Sequence, residues 1–159
     1  ILMEVVNTME NKLFNMMGSE VVSGFSCKPI KLVPEKPIMH FKTHIFICTD
    51  ERCGGAHKND NIASDLRDIL KEIGLANAET RIKISRTGCF GACRFRSTAN
   101  IFENTKMNGY EPNNNVWLRN IHKYSKEKWI ELFKALSENK NIDDLNFQQI
   151  PMSEPSKYK

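Results

Sequence analysis

Apolar residues fall into two different periods along this chain. Val5, Val6, Met9, Leu13, Met16 and Met17 recur at helical spacing, with Gly18 placed to end the run, which predicts a helix over residues 4–17. Pro29, Pro34 and Pro37 then enforce an extended strap. From residue 43 the pattern shifts. Thr43 to Cys48 is short and largely apolar, with two β-branched isoleucines, as in a strand buried on both faces. Ile62, Leu66, Ile69, Leu70 and Ile73 share one face of a helix that Asp60 or Asn61 can cap and Gly74 can close. Arg81-Ile82-Lys83-Ile84-Ser85 alternates like a half-buried strand. Short strands are expected at Thr98–Phe102 and Val116–Arg119, separated by an Asn- and Gly-rich stretch over residues 104–115. A last helix capped by Ser125 buries Trp129, Leu132, Phe133 and Leu136.

The resulting order, β-α-β-β-β-α, predicts an α/β domain: a central mixed sheet with helices packed on it, its first two strands parallel neighbours. Three regions are expected: an N-terminal extension (1–42), a compact domain (43–137) and a polar C-terminal tail (138–159).

Composition narrows the class. The chain has 159 residues, 40% hydrophobic and 26% charged, as in ordinary globular proteins, and no apolar run long enough to predict a membrane span. Ile1-Leu2-Met3-Glu4 lacks the basic-then-apolar order of a secretory leader, so a cytoplasmic location is expected. The net charge of +4 is concentrated in residues 43–137, which hold 15 Lys and Arg against 11 Asp and Glu, densest at Arg81, Lys83, Arg86, Arg94 and Arg96. Such a patch suits an acidic partner or an anionic group. No aromatic-interleaved reading surface accompanies it, so nucleic acid is not expected as a partner.

Four of the five cysteines form two close pairs, Cys48/Cys53 with four residues between and Cys89/Cys93 with three. Each pair lies just past the end of a predicted strand. If those strands are neighbours, both loops emerge at one sheet edge, where open α/β sheets place their ligands. Paired cysteines without a secretory leader point to a metal rather than to disulfides. Four soft thiolates suit two tetrahedral irons bridged by sulfide, and a single structural zinc is the alternative. A thiol–disulfide enzyme is not expected, since the C-x-x-C spacing of that chemistry is absent. Gly54, Gly55, Gly88 and Gly91 let backbone N–H groups approach sulfur, and Arg52, Arg86 and Arg94 offer compensating charge.

His44 and His57 flank the first pair but are superfluous beside four thiols. His40 and His122 read as surface or capping residues, Trp117 and Trp129 as core, and Cys27 as a small buried apolar side chain. No catalytic triad, phosphate loop or zinc-protease signature is present, so an autonomous enzyme is not expected.

The string His44-Ile-Phe-Ile-Cys48 leading into Arg52-Cys53, then Arg86-Thr-Gly-Cys89-Phe-Gly-Ala-Cys93, and Val116-Trp117 before the closing helix, resembles the thioredoxin-like 2Fe–2S ferredoxin family. A similar module occurs as a small subunit of NADH dehydrogenases and hydrogenases. The resemblance covers about residues 43–137. It implies a thioredoxin-like sheet, a 2Fe–2S cluster on Cys48, Cys53, Cys89 and Cys93, and one-electron transfer. It implies as partners a redox protein or a multisubunit oxidoreductase, the chain acting as a free homodimer or a permanent subunit. The alternative function is a non-redox binding or assembly module with a structural zinc or a sensing iron–sulfur site. Residues 104–115 are longer than the family's usual turn, and the extension has no family counterpart.

Overall fold

The computed structural model describes residues 5–7, 12–14, 18–25 and 40–152, and the chain divides into two units, Ile1–Met39 and His40–Lys159. Within the first unit, β1 (Val5–Asn7), β2 (Lys12–Phe14) and β3 (Glu20–Val21) form an antiparallel sheet in sequential order. The helix expected over residues 4–17 is therefore corrected. Its apolar residues include two doublets, Val5-Val6 and Leu13-Phe14, whose seven- to eight-residue separation suits a helical face. Here they are cross-strand partners instead, Val5 with Phe14 and Val6 with Leu13. Gly18 takes a left-handed φ of 83° on the way into β3 rather than closing a helix. The proline strap and Cys27 lie outside the described residues.

The second unit follows the expected order. It contains β4 (Thr43–Cys48), α1 (Ile62–Glu72), β5 (Ile82–Thr87), β6 (Ala99–Glu103), the single turn α2 (Thr105–Asn108), β7 (Val116–Leu118) and α3 (Lys126–Ser137). Strands line up as β5-β4-β6-β7. β4 runs parallel to β5 and antiparallel to β6, giving the central mixed sheet of a thioredoxin-like fold. Alternate strand residues Ile45, Ile47, Ile84, Ile101 and Leu118 pack with Leu66 and Leu70 of α1 and Leu132, Phe133 and Leu136 of α3 in one core. The two helices touch each other across it. Ser125 caps α3 by accepting from the Lys128 N–H. Asn61 stands at the N-cap of α1 without a side-chain bond, and Gly74 follows that helix at φ 78°.

Two boundaries move. The unit starts at His40, because Phe41 is buried and its carbonyl accepts from the Asn104 side chain. Residues 138–150 are not a polar tail. Ile142, Phe147 and Ile150 are buried, and the chain returns beside β7, where the Ile150 N–H donates to the Trp117 carbonyl. Their spacing is irregular, so no periodicity announces them. The stretch over residues 104–115 is also built. The amide of Asn113, 1% exposed, donates to the Lys140 carbonyl and accepts from the Ile142 N–H.

At the start of β4 the Lys42 ammonium lies buried, 3.2 Å from Glu103 at the end of β6. Thr43 Oγ1 donates to the same carboxylate, and Lys42 also donates to the Leu136 carbonyl of α3. Among the described residues no helix is long and apolar enough to cross a membrane.

Candidate metal centre

Parallel pairing of β4 with β5 sets Cys48 opposite Thr87, so the chain reaches Cys89 two residues after passing Cys48's neighbour. Cys48 is the last residue of β4 and 2% exposed, its N–H donating to the Thr98 carbonyl. The chain then makes a wide helical turn over Glu51–Gly55, opened by the Asp50 carboxylate accepting from the Glu51 N–H. This turn buries Cys53. Gly54 is required there, since a Cβ would come within 2.7 Å of the Thr49 carbonyl oxygen. Buried Ser97 anchors the turn by donating its hydroxyl to the Cys53 carbonyl, a tether with no sequence signal because it acts through backbone.

The second loop is more open. Cys89 is exposed and Cys93 half-buried at the start of a short helical turn, Cys93–Phe95. Gly91 adopts a φ of 77° and aims its N–H at Cys89 Sγ, 3.2 Å away. Phe90 meets the half-buried Trp117 edge-on at 5.1 Å, so Trp117 braces this loop rather than filling the core, whereas Trp129 is buried as expected.

All four thiols, with Asp50, Glu51 and Arg52, line one cavity of about 230 Å³. Cys89 and Cys93 Sγ lie 3.4 Å apart. Two thiolates on one tetrahedral metal at about 2.3 Å would stand roughly 3.8 Å apart, so this pair needs to open by only a few tenths of an ångström. Burial, with the hydrogen bond and charge of Cys48, pushes the Cys53 thiol up to about 11. The hydrogen bond to Cys89, with some burial, raises Cys93, while the Arg52 guanidinium opposes that rise by charge and hydrogen bond. Thiols crowded this way resist ionising beside one another, and a bound cation reverses that preference. Among the described residues no group of three or more His, Cys, Asp or Glu side chains stands close enough to hold a metal ion without some adjustment of the loops. The donor set is four soft thiols facing one cavity, chemistry that suits a thiolate-bound metal group.

The arginines separate in position. All three are exposed, but Arg52 lines the cavity and Arg86 and Arg94 do not. The histidines lie off the cavity as well. His44 Nε2 pairs with Ser85 Oγ at 2.7 Å, near the opposite end of β4. His57 stacks on His122 at 3.8 Å, and His122 Nδ1 accepts from the Ser97 N–H, so His122 is a tether rather than a surface residue. Asp50 and Glu51 are cavity residues that the sequence reading passed over, although an Asp just before a turn is a readable cap.

No protein-family model and no curated protein matches the chain. Among solved structures it is similar to the wild-type thioredoxin-like [2Fe-2S] ferredoxin from Aquifex aeolicus, with a TM-score of 0.44 and 16% identity, over 72% of this chain and all of that one. So distant a likeness carries no functional assignment.

Proposed function

We propose that this chain is a one-electron carrier holding a single 2Fe–2S cluster on Cys48, Cys53, Cys89 and Cys93, as a subunit or docked partner of a larger redox complex. The observation that carries this reading is the arrangement of four thiols as two pairs around one cavity at the β4/β5 edge. Two pairs of soft thiolates can complete two sulfide-bridged tetrahedral irons, each pair serving one of them. Such a cluster supplies reversible one-electron chemistry. The chain's own contributions are the thiolates, the Gly91 N–H directed at Cys89 Sγ and the Arg52 charge beside Cys93. Hydrogen bonds and positive charge at the sulfurs stabilise the reduced state. Exposed Cys89 gives electrons a short way out. The chain thus acts as a carrier, with the bond-making chemistry left to its partners.

The test is the visible spectrum of the purified chain and its variants. Red-brown absorption that dithionite bleaches is expected. Cys89→Ser and Cys93→Ser should each lose or destabilise it, and Cys27→Ser should keep it. A colourless, zinc-containing protein would establish the non-redox alternative, and loss of colour in Cys27→Ser alone would overturn the ligand assignment.

A further inference from the structure

A groove of about 390 Å³ runs between α1 and β5, away from the cysteine cavity. Leu70 and Ile82 supply apolar lining, Arg67, Lys71, Arg81 and Lys83 surround it, and among the described residues no acidic side chain lines it. Among the described residues β5 is the outermost strand of its sheet. The carbonyls of Arg81 and Thr87 turn toward β4, accepting from Thr43 and Thr49, while the Ile82 N–H turns outward to the Leu75 carbonyl. By strand alternation Ile84 and Arg86 also present their backbone groups outward. Arg67 Nη2 takes the Ile84 carbonyl at 2.9 Å. The N–H groups of Ile84 and Arg86 and the Arg86 carbonyl then have no partner among the described residues. An edge of this kind is a template for another strand.

We propose that this edge accepts an extended acidic segment of a partner protein as a fifth strand. Its backbone pairs with Ile84 and Arg86, and its carboxylates lie against Arg67, Lys71 and Arg81. Charge selects this occupant over others. A second copy would set the same cations against each other. Residues 26–39 carry Lys28, Lys31 and Lys36 against Glu35, and residues 153–159 carry Lys157 and Lys159 against Glu154. Pairing here would bring the segment's end beside the Cys89 loop, since β5 stops two residues short of it. The proposal is independent of what the cysteines hold.

The experiment uses the full chain and a fluorescent, end-blocked peptide of alternating Glu and Val. Anisotropy reads binding, and amide hydrogen exchange reads Ile84 and Arg86. The peptide should bind and slow exchange at both amides. N-methylation of its alternate residues, which removes backbone pairing but keeps every charge, should weaken binding about tenfold or more. Lys71→Glu should weaken it several-fold. Equal affinity of the methylated peptide would overturn the proposal in favour of plain charge attraction, and so would absence of binding. Protection of both amides in the peptide-free monomer would show the chain's own segment on the edge. Protection that grows with protein concentration would show a second copy. Either would also overturn it.

Discussion

At the scale of single residues, charge acts through distance. Arg52, although exposed, lines the cavity and its charge opposes the rise of Cys93, whereas the equally exposed Arg86 and Arg94 lie outside it. A positive charge held close to a centre that gains an electron favours reduction, and solvent screening weakens the effect with distance. Arg52→Gln should therefore lower the reduction potential by roughly tens of millivolts, with smaller shifts for Arg86→Gln and Arg94→Gln. Potentiometric titration of the three variants checks this ordering, and equal shifts in all three would contradict it. His44 gives a separate, pH-dependent effect. Burial first, then the charges of Lys83 and Arg81, lower its pKa to about 4. Phe41 and Phe46 pack around its ring, and Phe102 stands opposite on β6. A histidine depressed on folding stabilises above its unfolded pKa of 6.5 and loses that contribution as pH falls toward 4. The loss is roughly 1–3 kcal/mol once solvent screening is allowed for. Burial raises Glu103, whose contribution changes in the opposite sense over acidic pH. The His44 step is therefore the difference between the parent and His44→Gln in unfolding free energy from pH 7 to 4, and it should vanish in the variant.

At the scale of elements, strands and helices with a strong period are legible, and segments held by side-chain-to-backbone bonds are not. The apolar stripe of α1, the alternation of β5 and the Ser125 cap of α3 each announce themselves, because local spacing and core contact agree. Residues 138–150 do not, since Ile142, Phe147 and Ile150 are placed by contacts to β7 and the core rather than by a period. The Asn113 amide clamps this return, serving the Lys140 carbonyl and the Ile142 N–H at once. Asn113→Ala leaves the buried Ile142 N–H and the part-buried Lys140 carbonyl without this partner and should cost about 1–3 kcal/mol. Urea denaturation checks it. The expected result is a lower midpoint with an unchanged slope. The first unit fails to read for a different reason. Val5-Val6 and Leu13-Phe14 satisfy a helical face and an antiparallel register equally well, and only the pairing of distant residues decides between them.

At the scale of the whole molecule, the site is a product of topology. Cys48 and Cys53 are separated from Cys89 and Cys93 by α1 and β5, and the parallel ladder of β4 and β5 returns the second loop to the first. This much follows from the β-α-β order and from the position of each pair beyond its strand, so the sequence alone points to all four thiols. It does not show which arginine reaches the cavity, that Ser97 ties down the Cys53 turn, or that Gly54 is demanded by the Thr49 carbonyl. Those depend on loop conformations that no period encodes. The central claim is that these thiols hold one cluster that accepts one electron. Electron paramagnetic resonance with spin counting on the dithionite-reduced full chain tests it most directly. The account predicts a silent oxidised protein and, on reduction, a signal integrating to about one unpaired electron per chain, with two irons and two acid-labile sulfides. A protein that stays silent on reduction while holding zinc in place of iron would contradict it.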